Sequence, residues 1–378
     1  MKGPGRSIER ASRPVLLCVG LLLLVVAACQ QEQRPLKVGF IGGLTGRVAG
    51  LGVAGRDGVL MAVEEINRAG GIKGRPIEVI ARDDQQDAEV ARQAVKELIA
   101  ADVVAIIGPM TSAVAVAIQP IVNREQIVMI SPTVTSNQFN EQDDWFFRTT
   151  MPLRTNAEKL AKYVSDQRIR TIAVSVDMAN AAYTEDWLAS FRKPFEAGGG
   201  QVVHVERYRS GAEGGFLPLA ERLLRADPDA LLLLGGAMDT AMIAQQVRKL
   251  GSRVALFASE WACTSDVINF GGKAVEEMRS FVTYNPASQA PRHQAFLVDF
   301  EKRFGYQPSF AAVLGYEAAC NLFAGLTRNA QRDGLKEALL RAGAFTGLQG
   351  EVHINRFGDA ERETFLAVIR DGRFTTSR

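Results

Sequence analysis

The sequence predicts an α/β protein made of two doubly wound parallel-sheet lobes. Three observations predict it. From Leu36 onward, short apolar or β-branched runs alternate with longer amphipathic stretches, the pattern of a parallel sheet covered by helices on both faces. That rhythm restarts after Phe146-Phe147-Arg148-Thr149, so the alternation occurs twice. The 378-residue chain is also longer than a single hydrophobic core usually serves, even without the stretch ahead of Leu36.

In the first half, residues 37–41 read as a strand, 56–69 as a helix stopped by Gly70-Gly71, and 77–81 as a second strand. Asp87 caps a helix reaching about residue 100, before a strand over 103–107, a helix over 113–123 and a strand over 127–130. The second half gives helices over 156–166, 184–195, 216–226 and 239–250, interleaved with strands over 171–176, 201–208, 230–234 and 254–258. A strand-like run past Ser280 is followed by helices over 293–304 and 310–330. Two late strands, 351–354 and 365–370, are too few for a third domain and are expected to complete the two sheets.

Ahead of these elements, Lys2, Arg6, Arg10 and Arg13 flank an apolar run over 15–28. This is a secretory leader, short for a spanning helix. It ends in Val26-Ala27-Ala28-Cys29, which resembles a bacterial lipobox, with Cys29 as the acylated first residue of the mature chain. Residues 1–28 are therefore expected to be a lipoprotein signal and 29–35 a polar tether beginning Gln30-Gln31. Acyl chains would hold the protein at a membrane surface, at about 0.8 kcal/mol per buried methylene. Gln30 rather than Asp favours an outer membrane where there is one, and a plain signal with an incidental Cys29 is the alternative.

Without the leader, 40 Lys and Arg remain (44 less four) against 41 Asp and Glu (42 less Glu9). A balance so close to neutral gives no argument for nucleic acid. His204, His293 and His353 are scattered singly, and there is no CxxC pair, so no metal or cofactor site is expected and the histidines read as surface or edge residues. Cys263 and Cys320 are far apart in sequence, and whether they pair is not deducible from it.

In doubly wound sheets, ligands sit beyond the carboxyl ends of the strands, where helix N-termini point free N–H groups. The loops after 103–107 and 127–130 carry Thr111-Ser112 and Thr133-Val134-Thr135-Ser136, hydroxyls at helix starts that suit a carboxylate without any Arg or Lys. On composition alone, Ser112 and Ser136 read first as simple N-caps. In the second half, Glu260 and Trp261 follow the 254–258 strand, an acid beside an indole, suited to an ammonium or else merely exposed. Asp177 and Tyr183 follow the 171–176 strand and face the same region, over a ligand or simply lining the loop.

The segment 36–46 (LKVGFIGGLTG), then Ala62-Val63-Glu64-Glu65-Ile66-Asn67 with Gly70-Gly71-Ile72-Lys73-Gly74, resembles the opening of the leucine/isoleucine/valine-binding protein family of periplasmic receptors. Ile107-Gly108-Pro109, Met129-Ile130-Ser131-Pro132 and Phe147-Arg148-Thr149 continue the resemblance across essentially the whole mature chain. It implies a type I periplasmic binding protein: a monomeric ABC-importer receptor whose two lobes, joined by three crossings, close on an amino acid and present it to permease subunits. The crossings are expected near Thr150, Tyr284 and Gly347, giving lobe one as 36–149 and 285–346 and lobe two as 150–284 and 347–378. The resemblance places the carboxylate on Ser112, Thr133 and Thr135, the α-ammonium on Glu260, and a lobe-two aromatic at Tyr183. Two further tyrosine positions of the branched-chain receptors fall on Leu51 and Ala237, which is expected to enlarge or reshape the side-chain pocket, with Trp261 refilling part of it. The cargo is thus a branched-chain, other hydrophobic or aromatic amino acid. A sensory protein of the same fold, or a receptor for an amide, urea or aromatic acid, is the alternative.

Enzyme readings are weaker. The glycines of 38–46 do not follow G-x-G-x-x-G, and Asp83 and Asp84 lie about twice the ~20 residues downstream that a dinucleotide site needs. There is no G-x-S-x-G, and no histidine sits at a strand end beside an acid.

Overall fold

A computed structural model of the chain describes residues 34–47, 49–211 and 214–377. The expected leader, Cys29 and most of the tether lie outside the described residues. Two large sheets share one winding. In the first, β1 (Leu36–Gly42), β2 (Ile77–Asp83), β3 (Ala105–Ile107), β4 (Met129–Ser131) and β5 (Phe146–Arg148) run parallel in the order β2-β1-β3-β4-β5. In the second, β6 (Thr171–Asp177), β7 (Gln201–Tyr208), β8 (Ala230–Leu234), β9 (Ala255–Ala258) and β10 (Arg279–Val282) repeat it as β7-β6-β8-β9-β10. The chain then forms β11 (Ala344–Thr346), β12 (Glu351–Ile354) and β13 (Ala360–Glu361), a small antiparallel sheet. It ends in β14 (Phe365–Arg370) and β15 (Arg373–Ser377), which join the second sheet antiparallel beyond β10.

Strands covered on both faces have to be apolar throughout, and β8, Ala-Leu-Leu-Leu-Leu, is buried at every position. In each sheet the strand order reverses between the first and third strands used, β1 beside β3 and β6 beside β8. The crevice beyond the carboxyl ends at such a reversal is where this architecture receives ligands.

Helices α1 (Ala49–Arg68), α2 (Ala88–Ala100) and α3 (Ser112–Arg124) connect the first sheet, while α4 (Arg154–Asp166), α5 (Ala181–Ala197), α6 (Leu217–Leu224), α7 (Ala237–Lys249) and α8 (Ser265–Gly271) belong to the second half. Asp87 caps α2 as expected, accepting from the Glu89 and Val90 N–H groups. Helices α9 (Pro291–Phe304), α10 (Phe310–Arg328) and α11 (Leu335–Ala342) return to the first lobe, α10 lying along α1. A Cβ at Gly58 would fall 2.0 Å from the Ala312 carbonyl oxygen and one at Gly315 2.2 Å from that of Gly55, so only glycine permits this helix spacing. Helix α10 is apolar and long enough to cross a membrane, but it is buried as the core helix of lobe one.

Three expectations change. Glu351–Ile354 completes neither large sheet: it pairs with β11 and β13, and the Arg148 N–H donates to the Gly358 carbonyl at 3.0 Å, holding the small sheet against β5. Because the chain re-enters the second sheet only at Phe365, we place the third crossing at 362–364 rather than near Gly347. His293 is fully buried, its ring nitrogens 3.1 Å from Tyr284 Oη and 3.1 Å from the Ser288 carbonyl, whereas His204 and His353 keep solvent contact beside Glu206 and Glu351. Cys263 and Cys320 are both free thiols.

Ion pairs reinforce the joints between segments. Arg148 Nε donates to Asp359 Oδ1 at 2.7 Å, and Arg362 pairs with Glu317, which also accepts the Leu348 N–H at 2.7 Å. All four are buried or nearly so, and removing one partner of such a pair costs about 3–5 kcal/mol.

Candidate binding site

The loops leaving the carboxyl ends of the two sheets meet face to face, and the lobes are closed on one another. Arg47, after β1, pairs with Asp239 on α7. The Ala113 N–H in the first turn of α3 donates to Asn180 Oδ1 of the second lobe at 2.9 Å. Asp186 on α5 accepts from Ser136 Oγ at 2.6 Å and from the Asn137 N–H at 3.0 Å, while Asn137 Nδ2 donates to Ser190 Oγ at 3.1 Å.

Between them lies a cavity of about 30 Å³. Lobe one contributes Leu51, Ser112, Thr133 and Thr135, and lobe two contributes Tyr183, Glu260 and Trp261. Three buried polar atoms in its lining have no hydrogen-bond partner: Thr135 Oγ1, Tyr183 Oη and Glu260 Oε1. An unpaired buried polar group costs about 1–3 kcal/mol, so three converging from two lobes is the arrangement of a site awaiting a polar ligand. Two further hydroxyls are engaged, Ser112 Oγ accepting from the Ser136 N–H at 3.4 Å and Thr133 Oγ1 donating to the Met110 carbonyl at 2.6 Å. Tyr183 and Trp261 meet edge to face, with ring centroids 5.8 Å apart at 82°.

Glu260 sits in the 3-10 turn Glu260–Ala262 that follows β9. The residue keeps some exposed surface, but Oε1 is sealed from water, and enclosure pushes the carboxyl up to about 7 while the Asn156 Nδ2 donor at 2.6 Å pulls it back. Among the described residues it has no ion-pair partner, and no Lys, Arg or His lines the cavity. Burial, then the neighbouring Glu260 charge, also raises the Tyr183 phenol well above its usual range, while the Ser259 hydroxyl and the Trp261 backbone N–H lie near enough to pull it back without reaching hydrogen-bond geometry. The cavity therefore pairs an acid without a cation with hydroxyls without a base: it can receive a cation on the lobe-two side and a neutral-donor-bound anion beside the N-terminus of α3.

A sequence profile for a family described as periplasmic binding proteins matches residues 35–373. The chain belongs to this family. Among curated proteins, it is 26% identical over 364 residues to a leucine-, isoleucine-, valine-, threonine- and alanine-binding protein of Pseudomonas aeruginosa, covering 95% of each. Among solved structures, a leucine-binding protein from Thermotoga maritima matches with a TM-score of 0.82 at 24% identity, over 91% of this chain and 98% of that one. A solute-binding protein of an ABC transporter from R. palustris, solved with benzoate, matches with a TM-score of 0.83 at 21% identity, over 90% and 95%. The two-lobed type I fold expected from the sequence is thus the fold of these structures.

For this periplasmic binding protein, most residues singled out in the sequence meet in one cavity, and Ala237 does not. It starts α7, outside the lining, and the Tyr208 hydroxyl stands so close to Gly235 that a Cβ there would lie 2.3 Å from it. Leu51 lines the cavity, while on the Ala237 side Arg47 pairs with Asp239 near Tyr208. Asp177 and Ser136 also stay outside the lining: Asp177 accepts from the Ala179 and Ser210 N–H groups, and Ser136 is spent on Asp186. Asn180, Thr283 and Phe310 line the cavity without having been singled out. Asn180 and Thr283 carry the same strand-end signal as Glu260. Phe310 opens α10 after a helix-to-helix loop, which that rule does not reach.

Proposed function

We propose that the protein is the exported receptor of an ABC importer, closing its lobes on an α-amino acid with a hydrophobic or aromatic side chain and presenting it to permease subunits. It acts as a monomer without cofactor or catalytic chemistry, held to the membrane through Cys29. The observation that carries this reading is the convergence of Thr135 Oγ1, Tyr183 Oη and Glu260 Oε1, all unpartnered, on one interlobe cavity. Membership of the periplasmic binding protein family and the amino-acid-binding relative support it.

Binding starts in the open form, where the carboxylate meets the lobe-one hydroxyls Ser112, Thr133 and Thr135 and the N-terminus of α3. Closing on an empty cavity buries Glu260 Oε1 without a partner, and an ammonium relieves that penalty, so the right cargo strengthens a closed state that the empty protein also reaches. The aromatic-acid alternative draws on the benzoate-bound neighbour and on the raised Glu260 carboxyl, which in its protonated form would donate to a carboxylate. Calorimetric titration separates the two. Glu260→Ala weakens L-phenylalanine roughly a hundredfold, about 3 kcal/mol, while 3-phenylpropionate changes little. Equal losses for both compounds would remove the ammonium role from Glu260.

A further inference from the structure

The closed interlobe cavity has room for the charged head of an amino acid and little more. On the other side of Glu260 lies a second chamber of about 150 Å³, close to the size of an apolar cavity that takes a benzene ring. The two spaces share Glu260, Thr283 and Phe310 as a common wall. Leu51, Tyr183 and Trp261 border only the small cavity, whereas Ile268, Val282, Ala367 and Phe374 border only the chamber.

The chamber exists because lobe two is wider than lobe one. Ala367 on β14 and Phe374 on β15 come from the antiparallel strands added beyond β10, and the 307–309 loop ahead of α10 closes over them from lobe one. Glu260 is the one charged residue in its lining among the described residues. Ser309 Oγ is buried at its edge without a hydrogen-bond partner. The chamber thus offers an apolar slot of aryl size whose unsatisfied polar atoms are Ser309 Oγ and, on the wall shared with the small cavity, Glu260 Oε1.

We infer that this chamber is the side-chain subsite of the cargo and that it selects an aryl side chain, with Ser309 meeting a hydroxyl on the ring. The inference rests on the amino-acid reading of the interlobe cavity. The α-carbon lies beside Glu260, the charged groups reach into the small cavity, and the ring passes Thr283 and Phe310 into the slot. Aliphatic side chains leave part of that slot empty and forfeit its contacts.

The test is calorimetric titration of the full-length protein with L-alanine, L-leucine, L-phenylalanine, L-tyrosine and 3-phenylpropionate. The expected result is at least tenfold tighter binding of the two aryl amino acids than of alanine or leucine. Ala367→Phe, which fills the slot, brings the phenylalanine-to-alanine affinity ratio down at least tenfold. Ser309→Ala is a small change that leaves packing intact and removes any preference for tyrosine over phenylalanine, so the inference stays testable if Ala367→Phe does not fold. Leucine binding as tightly as phenylalanine, with both lost in Glu260→Ala, overturns the chamber and leaves the amino-acid reading standing. 3-Phenylpropionate binding as well as phenylalanine and responding to Ala367→Phe keeps the chamber and overturns the zwitterion. Binding of none of the five probes overturns both.

Discussion

The two lobes wind their first five strands identically and offer the cleft opposite chemistry. Lobe one presents hydroxyls, several of them already hydrogen-bonded within the lobe: Thr133 Oγ1 to the Met110 carbonyl, Ser131 Oγ to the Pro109 carbonyl, Ser112 Oγ to the Ser136 N–H. Lobe two presents an acid and a phenol that closure leaves unsatisfied, Glu260 Oε1 and Tyr183 Oη. A surface whose polar groups are paired without ligand is ready in the open form. One whose groups become orphans on closing penalises closure until a ligand arrives. The shared winding supplies the positions, and in the proposed function the strand-end residues assign first contact to lobe one and the check on closure to lobe two.

The sharpest test of that division is the pH dependence of the empty protein. Enclosure raises the Glu260 carboxyl from its ordinary 4.5 to about 7, so between those values the folded protein holds a proton that the unfolded chain has released. The stabilising contribution is full below about 4.5, declines as pH rises and is gone above about 7, at most about 3 kcal/mol in all. Asp84, pushed up to about 6, and the raised Asp144 and Asp177 act in the same direction, so the readout is wild type against Glu260→Gln in thermal melts across that range. The wild type should lose stability relative to the variant as pH rises, and saturating L-phenylalanine should flatten the difference by stabilising the ionised carboxylate. Parallel curves would mean that Glu260 stays in water.

A smaller effect is expected where the lobes only touch. Asp186 accepts two bonds from lobe one across the interface and has no place in the cavity lining. Hydrogen bonds to a charged group contribute about 1.5–3 kcal/mol, and these exist only in the closed form. Asp186→Ala should therefore weaken ligand binding about tenfold or more through a faster off-rate, with the empty protein more open in solution scattering. An unchanged off-rate would show that closure does not depend on this contact.

The sequence displays the winding because parallel strands covered on both faces must be continuous apolar runs, as β8 is, and because their helices are long enough to show a period. Short elements escape that logic: α8 and α11 have 7 and 8 residues, and β13 only 2, too few for a pattern to stand out. The same split runs through the site. Ser112, Tyr183 and Glu260 sit in the first turns that follow strands, so the carboxyl-end rule finds them. Phe310 arrives from a loop between α9 and α10, and Ala367 and Phe374 from strands added at the sheet edge, so their approach to Glu260 is a product of tertiary return alone. Ala237 fails for a related reason: a matching position keeps its role only if its neighbours leave the space, and here Tyr208 crowds the preceding glycine. His293 reads as exposed because nothing local signals that Tyr284 and the Ser288 carbonyl will satisfy both ring nitrogens.

The smallest effect belongs to lobe one. Among the described residues, Thr135 Oγ1 is the lobe-one hydroxyl of the cavity lining that is sealed from water without a hydrogen-bond partner. Thr135→Val keeps the shape and removes the orphan. The bound form then loses one neutral hydrogen bond to the carboxylate, about 1 kcal/mol. Titration should show binding three- to tenfold weaker for L-phenylalanine and 3-phenylpropionate alike, since both carry the carboxylate. That equal response is the mirror of Glu260→Ala, whose losses are confined to the amine-bearing compound, and a Thr135→Val loss confined to one of the two would place the carboxylate elsewhere.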